Sequence, residues 1–257
     1  MNIFADTHCH LNFDIFNNEL AEVILKAENQ GITRILVPGF DIASSMLAID
    51  LANRFPPLYA AVGIHPNEVT SWDSNSLSDL RKLCTNPKVV AIGEIGLDLY
   101  RNPGNIANQQ KAFEQQLSIA CDLKLPILIH NRSASNLIIE ILKKFELKGI
   151  FHAFDGDLQI LEYVIEHSYF FGIGGSVTYP KSKIDKRVLE QIWHYAVLET
   201  DSPFLSPNPF RGKRNEPSNI KTIAEFSAKI INMQIDDLAR ITSKNANSIF
   251  KWYQIEE

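Results

Sequence analysis

Short apolar runs recur along this chain, and between them lie longer stretches with a helical rhythm of apolar and polar positions. The runs are 2–6 (NIFAD), 34–39 (RILVPG), 58–64 (LYAAVGI), 88–94 (KVVAIGE), 126–130 (PILIH), 149–153 (GIFHA), 169–174 (YFFGIG) and 196–201 (AVLETD). Each is nearly continuous in Ile, Val, Leu, Ala or Phe, the pattern of a strand covered on both faces, as in a parallel sheet. In the stretches between, Leu20, Val23, Ile24 and Ala27 share one helical face, as do Phe113, Leu117, Ala120 and Cys121. Two more helices are expected after the eighth run, one beginning near Pro217 and one over about 235–252. Alternating strand and helix signals predict parallel βαβ units. Eight of them predict an α/β fold, a TIM-type (β/α)8 barrel with an additional C-terminal helix. An open doubly wound sheet is the competing architecture; the lack of a GxGxxG fingerprint after the first run weighs against it. No linker rich in Pro, Gly and Ser divides the chain, so a single domain is expected over residues 1–257, its least regular stretch the loop at 202–217.

Composition narrows the function classes. The chain has 257 residues, 45% hydrophobic, with a formal net charge of −5. A mildly acidic chain is poorly suited to tight metal-free binding of duplex DNA, which relies on Lys and Arg against phosphates. A nuclease remains open, because bound metals bring their own positive charge. Cys9, Cys84 and Cys121 are widely spaced, with no CxxC pair, which argues against a disulfide framework and for a reducing compartment. No apolar run approaches the roughly 18 residues of a membrane span, and the first ten residues lack the pattern of a secretory leader. A soluble cytoplasmic protein with no membrane association is the expectation.

The residues capable of chemistry fall at the ends of the apolar runs. Asp6, His8 and His10 follow the first, His65 the third, Glu94 the fourth and His130 the fifth; His152 lies in the sixth and Asp201 ends the eighth. In a parallel barrel the C-terminal strand ends converge on one face, so these residues would meet in one cup. Alternation along extended backbone would point Asp6, His8 and His10 one way and Thr7 and Cys9 the other. It likewise places Glu199 with Asp201. Two imidazoles two residues apart can reach one ion, and imidazole is a ligand for Zn, Mn, Fe and related metals. Taken singly, each His or Asp is an ordinary polar residue, and His167 and His194, in predicted helices, read that way, as does Cys9 as a packing residue. Five of the seven histidines at the same ends of predicted strands are better explained by a metal site.

The motifs DTHCHL (6–11), GIHP (63–66), GEIGLD (93–98), HNR (130–132), FHAF (151–154), ETDSP (199–203) and RNEP (214–217) occur in the order seen in the TatD-type metal-dependent hydrolases of the amidohydrolase superfamily. The resemblance runs from about residue 4 to 250. It implies His8 and His10 as ligands of a first metal, Glu94 as a bridge, and His130 and His152 as ligands of a second. It further implies Asp201 as a ligand that also binds the attacking water, with His65 and Arg132 lining the substrate pocket. The cofactors implied are two divalent ions, such as Mg, Mn or Zn, and the activity implied is nucleic-acid hydrolysis of the deoxyribonuclease type, including 3′–5′ exonuclease action. In that mechanism Asp201 is the general base. No obligate protein partner is indicated. Asp155 stands where the family carries a small hydroxyl residue; an inward carboxylate would repel a phosphate backbone, so it is expected to turn away and cap the following helix. Arg211, Lys213 and Arg214 add positive charge to the 202–217 loop, either over the barrel mouth or on a solvated surface. A hydrolase of a small amide, ester or lactone and a non-catalytic metal-binding protein are the alternatives.

Overall fold

The computed structural model describes residues 3–73, 75–250 and 252; residues 1–2, 74, 251 and 253–257, which belong to the expected domain and in part to the expected last helix, lie outside the described residues. Its strands are β1 Phe4–Asp6, β2 Ile32–Pro38, β3 Leu58–Val62, β4 Val89–Asp98, β5 Ile127–Arg132, β6 Gly149–Phe151, β7 Phe170–Ile173 and β8 Ala196–Leu198. The helices are α1 Leu20–Asn29, α2 Ile42–Arg54, α3 Ser76–Leu83, α4 Ile106–Leu123, α5 Ser135–Leu142, α6 Leu158–His167, α7 Lys186–Ile192, α8 Ile220–Ile230 and α9 Ile235–Ile249. The strands form one parallel sheet in the order β1 to β8. Backbone hydrogen bonds from Thr7 N to Leu198 O (3.0 Å), Asp201 N to His8 O (2.8 Å) and His10 N to Ser202 O (2.8 Å) draw the first and last strands together. The result is the expected TIM barrel, with α9 as the additional C-terminal helix. The helix expected to begin near Pro217 opens with a single 3-10 turn at Pro217–Asn219 before α8.

Two apolar layers account for the architecture. The larger lies between strands and helices: Ile35, Ile92, Ile127, Ile129 and Phe171 pack there against helical residues such as Val23, Ile24, Phe113 and Leu117. Burying side chains of this size stabilises by about 1.5–3 kcal/mol each. The smaller layer takes the alternate strand positions Ala5, Leu36, Tyr59, Val90, Leu128, Ile150 and Val197, which fill the barrel interior, together with Ala246, Ile249, Phe250 and Trp252. Trp252 meets Tyr59 edge-on, with ring centroids 4.6 Å apart. The end of α9 thus closes the floor of the barrel, and the inward positions above that apolar floor are left to polar side chains.

Glu94 depends on an irregularity in β4. The register runs Ile92↔Ile127 and then Ile95↔Ile129, three steps against two, which is a β-bulge. Ile92, Ile95 and Leu97 all pack in the outer layer. Strict alternation would have placed Glu94 beside Ile92, facing the helices; the extra residue turns its carboxylate into the barrel instead. Close approach of β5 is what the neighbouring glycines permit: a Cβ on Gly96, whose φ is +146°, would lie 2.0 Å from His130 O, and one on Gly93 would lie 2.5 Å from Leu128 Cβ.

Candidate metal centre

The C-terminal strand ends bring His8, His10, His65, Glu94, His130, His152 and Asp201 into one buried cup. His8 Nε2 and His10 Nε2 are 3.1 Å apart, and Asp201 Oδ1 lies 3.8 Å from the first and 3.5 Å from the second. The two oxygens of Glu94 face different groups. Oε2 is 3.4 Å from His8 Nε2 and 3.8 Å from His10 Nε2. Oε1 is 2.7 Å from His130 Nδ1, 2.9 Å from His152 Nε2 and 3.5 Å from His65 Nε2. His8 and His152 stack across the middle, centroids 4.1 Å apart.

These spacings fit a cation. Bonds of about 2.0–2.2 Å in a four-coordinate site set neighbouring ligand atoms about 3.4 Å apart, the range found among His8, His10, Glu94 and Asp201. Among the described residues, three groups could each hold an ion: His8, His10 and Asp201; His8, Glu94 and His152; and His65, Glu94 and His130. The donor set of imidazoles and carboxylates suits Zn, Mn, Fe and similar ions.

Charge coupling in the cup is strong. Burial, aided by the charge of His152, lowers the His8 pKa to about 4. Burial also works against charge on His152, yet the carboxylates of Glu94, Glu199 and Asp201 push it up to about 10. Burial would raise both Glu94 and Asp201, but the surrounding histidines hold Glu94 well below the carboxylate range and Asp201 below it as well.

The strand ends gather His8, His10, Glu94, His130, His152 and Asp201 as expected, and other residues lie differently. Asp6 does not join the cup. β1 ends at Asp6, and its buried carboxylate accepts hydrogen bonds from Thr200 Oγ1 (2.6 Å) and Thr200 N (3.0 Å), so it braces the loop that carries Asp201 while His8 and His10 turn in beyond it. Glu94 lies within β4 rather than at its end, and His152 is one residue past β6. His65, expected in the substrate pocket, is close enough to Glu94 to form a group with Glu94 and His130. Arg132 is exposed at the end of β5, its guanidinium 4.5 Å from the centre of the Tyr100 ring. Asp155 is exposed and stands off from the cup, 4.0 Å from Lys183 Nζ. The cap of α6 is Asp157, which accepts from Gln159 N and Ile160 N; the expected cap is corrected by two residues, since Asp157 is the residue next to the helix start. Arg214 is committed to structure, bonding Ile15 O, Glu19 and Glu216, while Arg211 lies over Tyr179. Cys9 is fully buried in the outer apolar layer, as its packing role required.

Three residues were not singled out as site residues. Asp98, buried at the end of β4, lies 3.4 Å from His130 Nε2 and accepts from Tyr100 N, Arg101 N and Asn67 Nδ2, which sets a fixed carboxylate behind the His130 ring. Glu199, noted only as a companion of Asp201, sits 3.8 Å from His152 Nδ1 and accepts from Ala153 N at 2.5 Å; burial pushes its pKa to about 7. Buried Asn215 donates to Thr200 O and Phe204 O, holding the strained turn at Asp201, where φ is +55°. Asp98 and Asn215 lie inside the GEIGLD and RNEP motifs, which were the available signal.

The family described as TatD related DNase matches residues 5–251. An uncharacterized metal-dependent hydrolase of Bacillus subtilis, YabD, is 38% identical over 96% of this chain and 98% of its own. The Edwardsiella piscicida protein named 3′-5′ ssDNA/RNA exonuclease TatD is 31% identical over 92% of this chain and 95% of its own. The crystal structure of YjjV, a TatD homolog from Escherichia coli K12, superposes with a TM-score of 0.91 at 30% identity, covering 96% of this chain and 98% of that one. With the barrel, the imidazole–carboxylate cup and these relatives in agreement, the chain belongs to the TatD family of metal-dependent hydrolases.

Proposed function

We propose that this chain is a phosphodiesterase acting on nucleic acid, with two divalent ions held in the cup. The observation that carries the reading is Glu94, whose two oxygens each face a separate set of imidazoles. His8, His10 and Asp201 would hold one ion and His130 and His152 the other, with Glu94 between them and His65 beside the second. Ions bound there supply Lewis acidity, which eases deprotonation of water and takes up charge developing on phosphoryl oxygens.

The protein's own part is positioning and proton transfer. Asp201 directs Oδ1 at His8 and His10, which leaves Oδ2 to accept the proton of an attacking water. The left-handed turn at Asp201, tied by Asp6 and Asn215 through Thr200, fixes where that oxygen sits. Asp98 and Glu199 place negative charge behind the rings of His130 and His152, 3.4 and 3.8 Å from their outer nitrogens. Arg132 at the rim offers a planar fork suited to phosphate. Asp155 stands outside the cup beside Lys183, so its carboxylate does not oppose an anionic substrate there. One named exonuclease among the relatives supports nucleic acid as the substrate class. The setting proposed is cytoplasmic, supported by three unbridged cysteines; no helix among the described residues is long and apolar enough to cross a membrane.

The test crosses metals with substrates: Mg, Mn and Zn against single-stranded DNA, duplex DNA, RNA and small esters or lactones. Phosphodiester cleavage that Asp201→Asn reduces by about 10²–10⁴, with the fold intact and metal still bound, is the expected outcome. Turnover confined to a small ester or lactone would replace this reading, and an Asp201→Asn enzyme of unchanged kcat would move the base elsewhere.

A further inference from the structure

One wall of the cup mouth is aromatic. Phe13 follows β1, Phe40 follows β2 and Phe204 follows β8, three neighbouring strands of the closed sheet. Their rings pack together, with Phe13 centred 5.3 Å from Phe40 and 5.7 Å from Phe204. The cluster abuts His10: Phe13 stacks on the imidazole at 5.1 Å, and Phe40 and Phe204 lie 6.5 and 6.3 Å away. Folding does not account for it, because Phe204 remains 52% exposed at the lip of a polar, charged cup. Its backbone is nevertheless held firmly, Phe204 N donating to Asp201 O and Phe204 O accepting from Asn215 Nδ2. A half-exposed ring on a rigid support beside a hydrolytic centre is what a planar apolar ligand group would cover.

We propose that Phe13, Phe40 and Phe204 form a stacking platform for one unpaired nucleobase of the strand held at the cup. The proposal rests on the phosphodiesterase reading above. A phosphate at the cup would present its own nucleoside to the adjoining wall, and every base offers a flat face to stack, so the platform is indifferent to sequence. A base within a duplex has both faces occupied by its neighbours and must be splayed out first. The platform therefore takes a base only where it is unpaired, with no contact that reads a base edge. Arg132, stacked on Tyr100, can hold the phosphate chain by charge.

The experiment compares a single-stranded oligonucleotide with an abasic strand of the same length and backbone, under whichever metal gives turnover. Wild-type protein should cleave the base-bearing strand with the higher kcat/KM. Phe204→Ala should lower kcat/KM on that strand roughly 5- to 150-fold more than on the abasic strand, the range of one lost base–aromatic stack, and Phe204→Trp should restore the preference. Phe40→Ala should shift it in the same direction. Circular dichroism and metal content of each variant guard against a folding defect, to which a half-exposed residue is little prone. Equal losses on both strands, or a wild-type enzyme indifferent to the bases, would overturn the platform while leaving the phosphodiesterase reading standing. Cleavage of neither strand with Mg, Mn or Zn would overturn both.

Discussion

At the scale of single residues, Glu94 organises the cup. It is buried among five imidazoles, of which His152, His65 and His130 hold it ionised, and each oxygen serves a different cluster. Glu94→Ala is therefore expected to lower occupancy of both ions, whereas His130→Ala should weaken chiefly the one on the Oε1 side. Elemental analysis of the purified variants distinguishes these, and full two-metal content in Glu94→Ala would exclude a bridge. His65 shows the limit of reading single residues from a motif. Its place in GIHP says that it matters; only the distance of 3.5 Å to Glu94 Oε1 shows that it faces the metal-capable group.

At the scale of elements, β4 is the decisive strand. Its bulge between Ile92 and Ile95 turns Glu94 inward, and Gly96 lets the strand lie against β5 where His130 projects. Gly96→Ala places a methyl group 2.0 Å from His130 O at a φ of +146°, so β5 must move or the bulge must change. The expected cost is about 1–3 kcal/mol of stability from overpacking, before any backbone strain is added, accompanied by weaker metal binding because His130 shifts. Denaturant unfolding and a metal titration measure the two effects. A variant with wild-type stability and affinity would show that the local register is not required.

At the scale of the whole molecule, the seven cup residues come from β4, β5 and the ends of four other strands, so the site exists only when the barrel closes. A metal bound to the folded form alone adds stability as RT ln(1 + [L]/Kd), about 2.7 kcal/mol at one hundred times Kd. Protons compete for the same histidines. His152, pushed to about 10, carries a proton at neutral pH that an ion must displace. The rise in Tm produced by added metal should therefore grow as pH increases and shrink as it falls, with protons released on binding. In chelator-treated protein the sign reverses for this group. Its folded pKa exceeds the ordinary 6.5, so its ionic contact with Glu94 supports the fold fully below that value and is lost as pH rises towards about 10. Differential scanning calorimetry across pH, with and without metal, reads both trends; a metal increment independent of pH would count against histidine ligation.

The alternation of apolar runs and helical stripes pointed to the eight-stranded barrel over an open sheet, because strands buried on both faces and amphipathic helices leave distinct periods in the chain. Leu20, Val23, Ile24 and Ala27 are buried on α1 as their spacing required. The position of the histidines at strand ends likewise indicated a metal cup, since all parallel strands deliver their C-termini to one face. Tertiary structure alone decided which way each side chain points there. Alternation predicted Asp6 in the cup and would have sent Glu94 out of it; the end of β1 at Asp6 and the bulge in β4 reversed both. The motifs marked Asp98 and Asn215 without showing what they touch, and the cluster of Phe13, Phe40 and Phe204 was beyond reach, for the same reason. Their partners lie on other strands, and contacts between residues far apart in sequence leave no period along the chain.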